Sequence, residues 1–351
     1  MPTDSLSRLE IMSQPDSWRQ TLEAVEDAWP RVAALFTPPP GQILICGCGA
    51  SYWGGQALAS YLQGATGTTT RSVTASELWL TPERYVQPGR SLFLWVPSRS
   101  GHTTEVLEAV TTLRSRYAAR VLAVTCTHDA PLAELADAVV AIPWAAEASV
   151  CQTRSFSNLY LAGLGLAARW SRDEAAGREL ANLPGVGKEF LASVVPRIDQ
   201  LAADLDWDHF VALGSGPLNG IANACALIVT EMSGTWGLSF QAMEARHGPA
   251  VVMGDKTVTM LITSDRGWSY ERRVLEELRA RSARSIVITS RAQAFAGASC
   301  VLPVAEHLSD LGRGLCAILV AQRIANLRAT AKGLDPDAPC GLVPWIATEV
   351  G

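Results

Sequence analysis

Ser98, Ser100 and Thr103 occur within one short stretch, Ser98-Arg99-Ser100-Gly101-His102-Thr103. It lies between an apolar run that reads as a strand at 91–97 and a helix from about 103 to 117. Hydroxyls, backbone amides freed by a glycine turn and the positive end of a helix dipole together make a phosphate seat that needs no lysine. Ser51, just after Gly47-Cys48-Gly49, is a matching donor from a neighbouring turn. Arg99 offers either a charged contact to such an anion or a solvent-facing side chain. The plainer alternative is that these hydroxyls only cap helices, and spacing alone leaves the two readings level.

Glu231, Glu244 and His247 form a second group, of types suited to proton transfer. Glu231 falls near the end of an otherwise apolar helical run, NACALIVTEM. A carboxylate there is either solvated at the helix edge or buried, and burial would raise its pKa into a range useful for shuttling protons. His247 lies 16 residues on, in Arg246-His247-Gly248-Pro249, a tight loop of the kind that often carries function. On these residues alone, a solvated Glu and a backbone-bonded His are the preferred readings.

Strands must position these groups, and the strands come in two copies. ILICGCGASYWGG near residue 45 and FVALGSGPLNGIANA near residue 211 share one grammar, an apolar strand entering a Gly-rich turn, with Gly47 and Gly214 167 residues apart. Ser98-Arg99-Ser100-Gly101 is echoed by Ser264-Asp265-Arg266-Gly267, and VLAVT at 121–125 by SIVIT at 285–289. Near-continuous apolar strands alternating with helices argue for parallel sheets covered on both faces. In such sheets ligands bind beyond the carboxyl ends of the strands, where all the hydroxyls above fall.

The spacing predicts a helical leader at 8–36 stopped by Thr37-Pro38-Pro39-Pro40. Strands follow at 42–46, 91–97, 120–126 and 138–143, and a helix at 52–63. Residues 156–205 read as mostly helical, interrupted at Leu183-Pro184-Gly185-Val186-Gly187, and a last helix spans about 309–330 before a Pro- and Gly-rich tail. The expected organisation is a leader at 1–40, a first α/β domain at 41–170, a helical linker at 171–205, a second domain at 206–330 and a tail at 331–351.

At 351 residues the chain is long for one core and comfortable for two. A net charge of −5 gives no electrostatic case for nucleic acid or an anionic membrane. The start has no basic segment followed by an apolar one, and no apolar run reaches membrane-spanning length. The eight cysteines show no metal-ligand spacing, so reduced thiols, no metal and a cytoplasmic location are expected. GCGASY lacks both the third glycine of a dinucleotide fingerprint and the Gly-Lys-Ser/Thr of a P-loop.

In their order along the chain, EIMSQPDSW, GCGASY, SRSGHTTE, SVCQTRSF, GSGP, the Glu231 helix, RHGP and GLDPDAPCG resemble the double sugar-isomerase (SIS) domain family over nearly the whole length. SRSG, LGSGPLNG, RHGP and the DPDAPCG tail resemble its tagatose-6-phosphate ketose/aldose isomerase branch. The isomerase half of glutamine:fructose-6-phosphate amidotransferase is the other similar branch, without its glutaminase half. The resemblance implies two tandem flavodoxin-like α/β domains, each a parallel sheet between helical layers. It implies Ser51, Ser98, Ser100 and Thr103 as phosphate ligands, with Arg99, Gln152 and Thr153 at the ligand loops. Glu231 becomes the base between C1 and C2 and His247 the aid to ring opening. No cofactor is called for, and a homodimer with shared sites is expected.

Four positions depart from the pattern. Pro344 stands where the amidotransferase branch has a Schiff-base lysine, and proline has no amine; Lys332 is near in sequence but off the motif. Ala50, Ala224 and Gln152 replace a hydroxyl, an acid and a serine. The implied activity is aldose–ketose isomerisation of a sugar phosphate, with or without loss of ammonia. Cleavage of a 6-phosphorylated fructosamine is an alternative enzyme reading, and a sugar-phosphate sensor a non-catalytic one, although residues 1–40 are too short and acidic for a DNA-binding segment.

Overall fold

In the computed structural model, residues 5–202, 206–281 and 284–348 are described. The elements follow in chain order: α1 (Leu6–Met12), α2 (Gln14–Leu35), β1 (Gln42–Gly47), α3 (Ala50–Thr66), β2 (Thr69–Thr74), α4 (Ala75–Leu80), β3 (Leu92–Ser98), α5 (Thr104–Tyr117), β4 (Arg120–Thr125), α6 (Pro131–Glu134), β5 (Ala138–Ala141) and α7 (Arg154–Ser171). Then come α8 (Glu174–Ala202), β6 (His209–Gly214), α9 (Pro217–Ser233), β7 (Trp236–Gln241), β8 (Thr257–Ile262), α10 (Trp268–Arg279), β9 (Arg284–Thr289), β10 (Cys300–Pro303) and α11 (Asp310–Ala331).

The chain divides into two compact units. One comprises 16–147, 154–181 and the tail from Val343; it holds β1–β5. The other comprises the leader to Pro15, Ala148–Thr153 and Asn182–Leu342; it holds β6–β10. Each unit carries a five-stranded parallel sheet, with strand orders β2-β1-β3-β4-β5 and β7-β6-β8-β9-β10. Counted within each unit these are the same order, 2-1-3-4-5, the flavodoxin-like arrangement. The duplication read from the glycine turns is therefore a duplication of topology.

Parallel strands buried on both faces explain the apolar runs: all six residues of β1 and all seven of β3 are buried. Leu44, Cys46, Leu94 and Val96 pack with Val106, Val110 and Leu113 of α5, while Ile45 lies against α3 on the opposite face. In the other unit Val211, Leu213 and Leu261 pack with Val274, Leu275 and Leu278 of α10. Gly47 lets α3 close directly onto β1, because a Cβ there would stand 2.8 Å from Ser51 C and Tyr52 N. Its copy Gly214 does the same for α9, with Leu218 O at 2.3 Å.

The structure differs from the sequence reading in the leader and at 183–187, and it adds the edge strands β2 and β7. The leader is two helices with Ser13 between them. The break expected at 183–187 does not occur, since α8 runs unbroken through Pro184 and Pro196. An interior proline costs a helix about 3 kcal/mol. Leu180, Leu183, Phe190, Leu191, Val194 and Ile198 are all buried at helical spacing, and each such side chain contributes about 1.5–3 kcal/mol. Burial along one face outweighs the two prolines. Among the described residues no helix is long and apolar enough to cross a membrane.

Candidate active site

At the end of β3 the chain makes two successive hydroxyl turns. Gly101 N–H donates to Ser98 Oγ at 3.1 Å, and His102 N–H donates to Ser100 Oγ at 3.1 Å. A hydroxyl that accepts a backbone N–H is held in place with its own proton still available. Thr103 is the N-cap residue of α5, yet its side chain makes no capping hydrogen bond. The cap role that competed with the phosphate role in the sequence is thus unfilled. Ser51 lies in the first turn of α3 and is 7% exposed, following the N-cap Gly49.

Arg99 is neither solvent-facing nor turned to an open seat. Its guanidinium donates to the Pro344 carbonyl and lies 3.5 Å from Glu147 Oε2, a carboxylate that is fully buried. The tail continues along the start of α5. Thr104 N–H donates to Ile346 O at 3.3 Å, Thr348 N–H donates to Thr104 Oγ1 at 2.9 Å, and the Trp345 ring stands 5.7 Å from the His102 ring. Pro344, which the sequence marks as a lost amine, contributes its carbonyl instead.

The loop carrying Gln152 and Thr153 belongs to the β6–β10 unit, and the leader and tail fasten it there. Glu10 accepts from Ala148 N–H at 2.7 Å, from Ser149 N–H at 3.3 Å and from the Ser149 hydroxyl. The Asp337 carbonyl accepts from Val150 N–H at 2.8 Å, while the Asp337 carboxylate holds Leu6 N–H, Ser7 N–H and the Ser7 hydroxyl at 2.6–2.8 Å. Gln322 Nε2 donates to Thr153 O at 2.9 Å and is itself bridged to Gln14. With the backbone so pinned, Gln152 keeps a buried Oε1 with no protein partner, an acceptor suited to a ligand hydroxyl. The EIMSQP and DPDAPCG motifs were visible in the sequence, but the roles of Glu10 and Asp337 were not.

Glu231 is half-buried in the last turn of α9. That helix ends at Gly234 in the left-handed conformation, and Lys332 Nζ caps its last carbonyls, Ser233 O at 2.7 Å and Gly234 O at 3.1 Å. Burial, and next the charge of Arg328, lower the Lys332 pKa. His247 follows β7 and closes a one-turn helix at Glu244–Arg246. Its N–H donates to Glu244 O at 2.9 Å and its side chain is exposed. Glu244 is exposed on that same turn.

The cysteines are all free thiols, and Cys48 is pushed up to about 11 by burial and then by Glu105, so it stays protonated. Among the described residues no group of three or more His, Cys, Asp or Glu could hold a metal ion.

Comparison with known proteins now adds to this geometry. Residues 38–168, the β1–β5 repeat, match the family model described as the SIS domain. Over that repeat the chain is similar to the SIS-domain family. The D-galactosamine-6-phosphate deaminase AgaS of Escherichia coli is 26% identical, over 96% of this chain and 92% of that protein. A glutamine–fructose-6-phosphate aminotransferase of Streptomyces coelicolor is 29% identical, over 89% of this chain but 53% of that longer protein. The crystal structure of tagatose-6-phosphate ketose/aldose isomerase from Escherichia coli superposes with a TM-score of 0.88 at 23% identity, covering 100% of this chain and 99% of that one. The two share one fold, and both five-stranded repeats are included in the match.

Proposed function

We propose that this SIS-domain protein is a sugar-phosphate aldose/ketose isomerase acting on a 2-amino-2-deoxyaldose 6-phosphate, with loss of ammonia. The observation that carries the reading is the loop after β3. Ser98 and Ser100 are each fixed by a backbone N–H with their protons free, and Thr103 sits at a helix N-terminus without using its hydroxyl as a cap. Donors pre-aimed at a helix N-terminus suit a phosphate dianion. The likeness to deaminases along 96% of the chain supports the amino sugar.

In this reading Ser51, Ser98, Ser100 and Thr103 hold the phosphate and Gln152 and Thr153 the sugar. His247 moves the proton that opens the ring. Glu231 removes the proton at C2 of the open chain and returns it at C1. The resulting imine at C2 takes up water and releases ammonia, so one amino-sugar phosphate and one water give one ketose phosphate and one ammonia. No lysine adduct is used: Pro344 has no amine, and Lys332 is engaged at the end of α9. A homodimer with His247 given across the interface belongs to the same reading.

The test is an ammonia-release and ketose assay on galactosamine and glucosamine 6-phosphates, wild type against Glu231→Gln. Turnover in the variant should fall by about 10²–10⁴-fold with binding nearly unchanged. Near-normal turnover by the variant removes Glu231 as the base. If the wild type binds hexosamine 6-phosphates yet yields neither product, the enzyme reading gives way to a sensor.

A further inference from the structure

Within the β1–β5 unit the tail carries an apolar run, Val343-Pro344-Trp345-Ile346, that is fastened by its backbone and left uncovered by its side chains. Arg99 donates to the Pro344 carbonyl, and Thr104 N–H donates to Ile346 O at 3.3 Å. These two ties stand on either side of Trp345, so its backbone is fixed where the phosphate loop enters α5. The ring is not buried along with it: Trp345 is 47% exposed. An aromatic face held open beside a polar seat is the arrangement that receives ligand cations.

The loop itself aims the ring. His102 Nδ1 lies 2.7 Å from Ser100 O. A carbonyl only accepts, so Nδ1 carries the proton, and the imidazole is set by the same residue whose hydroxyl faces the phosphate seat. The Trp345 ring packs on that imidazole, with centroids 5.7 Å apart and planes tilted by 36°, within the range of a favourable aromatic pair. Ser100, His102 and Trp345 therefore form one contiguous chain of contacts from the seat to the indole. Of the cations that could stand here, Arg99 is held by Glu147, and position 344 has a proline in place of an amine. A lysine at 344 would repel an ammonium, whereas the neighbouring indole attracts one through the negative face of its ring.

We propose that Trp345 is a specificity-determining residue of the sugar-phosphate site. Its indole covers the sugar whose phosphate sits at Ser98, Ser100 and Thr103, and a cation–π contact favours a 2-ammonium sugar over its 2-hydroxyl counterpart. The inference rests on the phosphate seat assigned above, but not on Glu231 as the base or on turnover.

Titration calorimetry of the full chain with galactosamine 6-phosphate and galactose 6-phosphate, below the pKa of the sugar amine, tests it. The wild type should bind the amino sugar about five- to tenfold tighter. Trp345→Ala should bring that ratio close to one by weakening the amino sugar alone, and Trp345→Phe should keep part of it. The ring is exposed and both neighbouring ties are to backbone carbonyls, so these variants keep the fold and the tail. Ser100→Ala should weaken both ligands alike and leave the ratio unchanged. No preference in the wild type, an unchanged ratio in Trp345→Ala, or equal weakening of both sugars by it would each overturn the proposal while leaving the phosphate seat in place. Binding of neither 6-phosphate by the wild type, or affinities untouched by Ser100→Ala, would remove the seat and the proposal with it.

Discussion

The loops after β3 and β8 begin as the same turn and end as opposite instruments. In both, a serine Oγ accepts the N–H of the glycine three residues on, Ser98 from Gly101 and Ser264 from Gly267. In both, a glutamate follows seven residues after the serine, Glu105 and Glu271. The second loop turns that glutamate back onto its own serine, so the serine proton goes to Glu271. The first loop does not: Glu105 keeps a buried Oε2 without a partner, and Ser98 keeps its proton. The fold holds two copies of one turn, and in the second a built-in carboxylate takes the serine proton that the first leaves free. The flanking charges follow suit, with Arg99 held by Glu147 in one repeat and Asp265 held by Arg313 in the other.

The largest effect is expected where the first loop's charge is removed. Arg99→Ala breaks the ion pair to the buried Glu147 carboxylate, which keeps the Ser155 hydroxyl, and breaking a buried pair costs about 3–5 kcal/mol. Asp265→Ala leaves Arg313 with Asp310, Thr263 O and Leu308 O still in place, so the cost should be clearly smaller. Denaturant midpoints of the two variants measure the difference, and equal losses would mean that the two ion pairs are not the counterparts described.

Next in size is the serine exchange. In the proposed reading Ser98→Ala removes a hydrogen bond to a charged ligand, worth about 1.5–3 kcal/mol, so sugar-phosphate affinity should fall roughly 10–100-fold. Ser264→Ala should leave that affinity alone and lower stability by about 1–3 kcal/mol, because Glu271 loses one of its two donors in a buried place. If Ser264→Ala weakens the phosphate ligand as much as Ser98→Ala does, the two loops do not differ in function.

Much of this contrast was legible in the sequence. The repeats showed because buried parallel strands read as apolar runs and because Gly47 and Gly214 sit where a Cβ would strike the following helix. The edge strands β2 and β7 were not legible: TTRSVT and WGLSFQ are half-exposed and carry no apolar run. The hydroxyls of the first loop were visible, but whether they cap or bind depends on where one proton points, which spacing does not encode. Glu10 and Asp337 hold the Gln152 loop from residues remote in sequence, so only the folded chain reveals them. The continuity of α8 through Pro184 was misread because local breaker signals say nothing of the apolar face that overrides them.

The smallest expected effect sharpens the charge reversal through pH. Asp310 has its pKa raised in the folded chain to about 6, by burial first and by Asp265 second, above the 3.8 of a free side chain. The unfolded chain therefore binds fewer protons than the folded one between these values, and stability falls as pH rises through that window. The favourable contribution is complete below about pH 4 and gone above about pH 6. Two units correspond to nearly 3 kcal/mol, and partial exposure of the carboxyl reduces this to about 1–2 kcal/mol. Asp310→Asn keeps an acceptor for Asp265 N–H and Arg313 but cannot ionise. Between pH 4 and pH 7 the wild type should thus lose about 1–2 kcal/mol relative to this variant, read from paired denaturant curves. A constant difference, or one that moves in favour of the wild type, would show that Arg313 already neutralises both carboxylates.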